Sequence, residues 1–140
     1  MSLERLDDWD LRLNELVADR GNSPFSWGAN DCILFACDCI LAITGTDLAA
    51  EFRGKYRTRL QAARILKDFG GLERLADSFA AKHEIPRLEF PALAQRGDVG
   101  LVESGHGLAL TVVADRYVVA PGASALEFIP FSRLTRAWRI

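Results

Sequence analysis

Scarcity defines much of this chain: among its 140 residues there are three cysteines, two histidines and one methionine. The three cysteines, Cys32, Cys37 and Cys39, crowd into one short stretch, which excludes a disulfide framework. On a helix Cys37 and Cys39 point about 200° apart, and Cys32 with Cys37 is a poor match for bridge geometry. Zinc needs ligands that converge on one point, whereas a helix spreads these three around its circumference, so no metal is expected. Charge bias is missing too. Seventeen basic residues against nineteen acidic ones leave a formal charge of −2, spread along the chain, which gives nucleic acid or an anionic membrane surface nothing to hold. No apolar run approaches the ~20 residues that span a bilayer, and the acidic, amphipathic N-terminus has no signal-peptide core. A cytoplasmic protein is the expectation.

What is present is apolar content of 49%, enough for one domain over residues 1–140 to bury a core without staples. Leu3, Leu6, Trp9, Leu13, Leu16 and Val17 recur at three- and four-residue steps, predicting an amphipathic N-terminal helix over residues 1–20. Gly21-Asn22-Ser23-Pro24 breaks it. A second helix is expected over 31–44, ended by Gly45, a third from Thr58 to Phe69, and a fourth from Leu72 to Lys82. The basic residues between Arg53 and Lys67 read as a solvated face. From Gly97 onward the pattern turns to short β-rich runs: Val99 to Val102, Leu108 to Val113, Tyr117 to Ala120, Leu126 to Phe131 and Ala137 to Ile140. Asp115-Arg116 and Pro121-Gly122 read as turns. Helices first and strands second predict an α+β fold, with the second helix packed on an antiparallel sheet over 97–140.

The segment Trp27-Gly28-Ala29-Asn30-Asp31-Cys32 stands directly ahead of the second helix. Asn30 and Asp31 read as its N-cap and first residue, which puts Cys32 in the first turn. Exposed backbone N–H groups and the positive end of the helix dipole favour a thiolate there, the preparation a nucleophilic cysteine needs. The plain alternative is a small buried hydrophobe, the role expected of Cys37 and Cys39. A nucleophile also needs a base, and imidazole is the usual one. His83, at a helix end, reads as an ordinary C-terminal cation. His106, between Gly105 and Gly107 at the entry to the second strand, is placed to carry an imidazole from the sheet toward the cysteine.

Trp27-Gly-Ala-Asn-Asp-Cys32 with Phe35, then Gln95-Arg96-Gly97-Asp98-Val99 opening the first strand and a glycine-flanked strand after it, resembles the NlpC/P60 branch of papain-like cysteine peptidases. The short members encoded among bacteriophage and prophage tail genes are the nearer likeness. The resemblance covers about Phe25 to Ile140. It implies a papain-like fold and a cofactor-free thiol hydrolase cutting peptidoglycan stem peptides, with Cys32 as nucleophile, His106 as base, and Trp27, Asn30 and Asp31 lining the site. It also implies phage tail proteins as partners and a bacterial cytoplasm or a virion tail as location.

Two details bear on activity. The family's histidine is usually followed by an apolar, a small and another apolar residue; with Ala109 as the small residue, counting places Gly107 in the histidine position. A one-residue slip turns a side chain to the other face, and a glycine bulge at Gly107 would absorb it. The family also carries a polar third residue on the next strand, where Tyr117-Val118-Val119-Ala120-Pro121 has no equivalent. Three readings follow: a cysteine peptidase or amidase, a non-catalytic structural or assembly component of a phage tail, and a module that binds a cell-wall fragment without cutting it.

Overall fold

The computed structural model describes residues 2–105 and 107–140. Four helices, α1 (Trp9–Arg20), α2 (Cys32–Thr44), α3 (Arg59–Phe69) and α4 (Leu72–Lys82), precede five strands, β1 (Val99–Ser104), β2 (Gly107–Ala114), β3 (Tyr117–Pro121), β4 (Leu126–Pro130) and β5 (Leu134–Trp138). The strands form one sheet in the order β4-β3-β2-β1-β5, and every pairing is antiparallel. The α+β class expected from the sequence is therefore present. No helix among the described residues is long and apolar enough to cross a membrane.

α2 is the hub. Its apolar residues do not form a stripe but surround it: Leu34, Phe35, Ala36, Cys37, Cys39, Ile40 and Ile43 are all buried. A helix apolar all round must be covered all round. α1 covers one side and the sheet another, where Leu34, Phe35, Cys39 and Ile43 share a core with Val99, Leu101, Leu110, Val112 and Val119. Thr44 turns its hydroxyl back to the Ile40 carbonyl at 2.8 Å, and Gly45, at φ +78°, closes the helix in the left-handed conformation that glycine adopts without strain.

Strand alternation splits the sheet into two faces. On β2, Leu110 and Val112 join the α2 core, while Ala109 and Val113 join a smaller core with Val102, Val118, Leu134 and Ala137 on the far face. Instead of helices, Leu88, Ala94 and Phe131 cover this second face. Register between β1 and β2 runs unbroken from Val99↔Val112 to Ser104↔Gly107.

Several boundaries move from the sequence reading. The first helix begins at Trp9 rather than at the chain start, because residues 3–6 are tied elsewhere: the Leu6 amide donates to the Ile43 carbonyl at 2.8 Å, and Leu3 packs on the core from a non-helical segment. The helix expected over 31–44 starts at Cys32, since Asp31 has extended φ and ψ and serves as the cap. The last strand is Leu134–Trp138, earlier than the expected Ala137–Ile140. The final residues leave the sheet because the Ile140 amide is drawn to Asp98.

Asp98, wholly buried at the start of β1, ties the two ends of the domain together. Its carboxylate accepts from the Ile140 amide at 3.0 Å, the Gln95 amide at 2.8 Å and Arg5 at 3.2 Å, with Arg139 also within 3.0 Å. Arg5 in turn donates to the Ile140 and Arg96 carbonyls and lies 4.1 Å over the Trp9 ring. Removing one member of such a buried cluster strands the rest. Asp98→Ala is expected to lower unfolding free energy by about 3 kcal/mol in urea titration, against less than about 1 kcal/mol for breaking the exposed Lys82–Glu51 pair.

Candidate functional site at the start of the second helix

Residues 24–31 make a closed loop whose bonds explain nearly every letter of the motif. The Ser26 and Asn30 backbones exchange hydrogen bonds at 3.2 and 2.8 Å, so the chain turns back on itself just before the helix. Asn30 is buried; its amide group donates to the Pro24 carbonyl at 3.0 Å and its oxygen accepts from Arg20 at 3.1 Å. Arg20 also reaches Asp38 at 2.6 Å, which fastens the loop to the back of α2. Gly28 is required on two counts: its φ is +78°, and a Cβ there would stand 2.0 Å from the Tyr56 carbonyl oxygen.

Asp31, not Asn30, is the N-cap, which corrects the sequence reading. One carboxylate oxygen accepts from the Leu34 amide at 2.9 Å; the other accepts from the Gly28 amide at 2.9 Å and the Tyr56 hydroxyl at 2.5 Å. The side chain is almost fully buried. With its oxygens so engaged, Asp31 shapes the loop and caps the helix rather than presenting itself to a ligand.

Cys32 is the first residue of α2 and is half-buried, whereas Cys37 and Cys39 are sealed in the core. Backbone N–H groups of Leu110, Cys32 and Ile33 favour its ionised form. Leu110 is available for this because the β2–β3 ladder extends only from Ala114↔Tyr117 to Val112↔Val119, leaving Leu110 beyond its end. These three donors favour the thiolate, but they do not prevail at rest. Burial, aided by the adjacent Asp31 charge, pushes the thiol up to about 11, the reverse of the depressed value expected from the helix terminus alone. A helix start activates a cysteine only where water or a cation offsets desolvation.

Trp27 is exposed by 37% and packs edge-to-face on Phe25 with ring centroids 4.7 Å apart. On β2 the positions facing α2 are Leu108, which is exposed, and Leu110. Counting back from Ala109 reaches Gly107, whose ladder position belongs with Ala109 and Val113 on the face away from α2. The β1–β2 register has no shift from Val99↔Val112 to Ser104↔Gly107, and Gly107 takes a φ of +108° at the start of the strand. His106 lies outside the described residues. β3 offers Val118, Val119, Ala120 and Pro121, all buried and none able to orient an imidazole. His83 caps the end of α4, with its imidazole held below its ordinary value by partial burial and the neighbouring Lys82 charge.

Tyr56, Arg20 and Asp38 were not legible as site residues. Their partners are distant in sequence, and no local motif marks them.

These features define an α+β domain with a half-buried cysteine thiol presented at the first residue of its central helix, against the backbone of a sheet strand. The chain belongs to the DUF6950 family, a domain of unknown function, whose model matches residues 4–140. No curated protein and no solved structure matches it.

Two outcomes follow. Iodoacetamide is expected to modify Cys32 ahead of Cys37 and Cys39, on access alone, as read by peptide mass mapping. The buried thiols also set an alkaline limit. Burial pushes Cys32 to about 11 and Cys37 to about 12, against an ordinary value of 9.0, so the folded chain keeps protons that the unfolded chain releases. That stabilisation is complete below about pH 9 and is lost as pH rises through the folded values. The urea midpoint should therefore fall steadily from pH 9 to 11, and less so in Cys32→Ala.

Proposed function

We propose that this domain is a papain-like cysteine hydrolase of the NlpC/P60 type, acting on peptidoglycan stem peptides in association with phage tail proteins, with no metal or cofactor in its chemistry. The observation that carries the reading is the placement of the Cys32 sulfur. Cys32 is the least buried of the three cysteines, it stands at a helix start, and the Leu110 N–H, on the strand that follows His106 in the chain, favours its ionised form.

Because burial keeps the resting thiol protonated, attack requires a base at the moment of reaction, and His106 is the assigned one. The imidazole takes the thiol proton as sulfur bonds to the carbonyl carbon of the scissile amide. The oxyanion that forms is stabilised by backbone N–H groups at the start of α2. Collapse breaks the C–N bond; the imidazolium returns its proton to the leaving amine, and a thioester remains on Cys32. Water, deprotonated by the same imidazole, then releases the acid and restores the thiol.

A specific set of observations favours a second reading, a non-catalytic tail component on the same scaffold. Gly28, Asn30 and Asp31 each have a structural task, β3 supplies no orienting group, and the thiol is protonated at neutral pH. Binding of a cell-wall fragment without cleavage is the third.

Purified stem peptides incubated with the protein and followed by mass spectrometry separate the three. Hydrolysis should yield a new free amine, with Cys32→Ser and His106→Ala each reducing the rate at least about a hundredfold, and His83→Ala leaving it unchanged. Saturable binding without product supports the third reading. Neither binding nor product supports the second.

A further inference from the structure

We propose that Tyr56 is the positioning residue of the Cys32 site, setting the thiol's place and charge environment through the buried Asp31 carboxylate. Tyr56 lies in the turn-rich segment between α2 and α3, 25 positions from Asp31, and belongs to no helix or strand. It nevertheless touches the cysteine loop twice. Its hydroxyl donates to Asp31 at 2.5 Å, and its carbonyl occupies the space that a side chain at Gly28 would need. The loop is held between these two contacts directly ahead of Cys32.

The segment carrying Tyr56 is itself fixed. Arg53 donates to Asp38 on α2 at 2.6 Å and to Asp47 at 2.9 Å, so the turn is anchored to the same helix whose start it controls. Phe52 packs on Phe79 with ring centroids 5.5 Å apart, which secures it to α4 as well. Tyr56 is almost wholly buried, and burial together with the Asp31 hydrogen bond holds its phenol well above the ordinary value; it remains a donor throughout the working range.

The chemical consequence passes through charge. Asp31 is a buried anion next to the thiol, and its negative potential opposes ionisation of Cys32. Among the described residues the Tyr56 hydroxyl is the side-chain donor to that carboxylate, beside the Gly28 and Leu34 amides. Removing the hydroxyl leaves more of the carboxylate's charge uncompensated and frees the loop at one of its two supports. The uncompensated charge lowers the reactivity of the thiol. Removing the charge instead raises it.

The test is the pH profile of Cys32 alkylation by iodoacetamide, read by mass spectrometry on the whole chain, in wild type, Tyr56→Phe and Asp31→Asn. Tyr56→Phe keeps the ring and backbone and is expected to slow Cys32 alkylation about threefold at pH 8, about half a unit in the profile. Asp31→Asn keeps one acceptor oxygen to cap the Leu34 amide while losing the bond from Gly28, and should speed it by at least as much. Thr58→Ala weakens the adjacent helix by removing the side-chain cap on Gln61, and should leave the profile at its wild-type position. A purely structural role for Tyr56 would alter stability without moving the profile. A wild-type profile in Tyr56→Phe overturns the proposal; if that variant does not fold, a wild-type profile in Asp31→Asn overturns it equally. Alkylation needs no turnover, so absence of hydrolysis would count against the hydrolase reading while leaving this one standing.

Discussion

One buried carboxylate organises the start of the central helix. Asp31 caps α2 through the Leu34 amide, closes the preceding loop through the Gly28 amide, and draws in the segment from 47 to 57 through the Tyr56 hydroxyl. An anion is expensive to bury unless its oxygens are satisfied, so these bonds are mutually obligatory. Gly28 must lack a side chain because Tyr56 occupies its space, and Tyr56 must come that close because Asp31 needs its hydroxyl. The position of Cys32 is a result of that arrangement, as the residue immediately after the cap.

The same carboxylate makes the thiol's electrostatics a contest. Helix-start N–H groups and the Leu110 amide pull toward the thiolate; desolvation and the Asp31 charge pull toward the thiol, and they win at rest. A nucleophile in such a setting is latent, inert until a base is brought to it. This separates two properties that sequence motifs tend to merge, namely accessibility of the sulfur and its ionisation. Cys32 is the least buried of the three cysteines, and burial still keeps its thiol protonated.

Helices α3 and α4 and all the sheet strands except β5 were legible because their apolar periods and flanking glycines are local signals. Thr58 before the third helix and the Gly70-Gly71 pair after it delimit that element with no reference to the rest of the chain. The first helix was overextended because Leu3 and Leu6 keep the helical spacing, although Leu3 packs on the core from a non-helical segment. β5 was misplaced because Asp98 captures the Ile140 amide, a bond between positions remote in sequence. The site followed the same rule. Cys32 and its cap region could be read from six consecutive residues, but which of Asn30 and Asp31 was the cap depended on Tyr56, and the direction of the thiol's shift depended on burial that no local pattern reports. The Gly97-Asp98 pair, read as part of a family likeness, proved to be a tie between the chain's two ends.

We propose that Cys32 is a latent thiol made nucleophilic by His106. The most direct test is the rate of Cys32 alkylation from pH 6 to 11 in wild type and in His106→Ala. Modification of the wild type at neutral pH should be at least about tenfold faster, with His106→Ala gaining reactivity only as pH approaches the thiol's own value near 11. Superimposable profiles would contradict it.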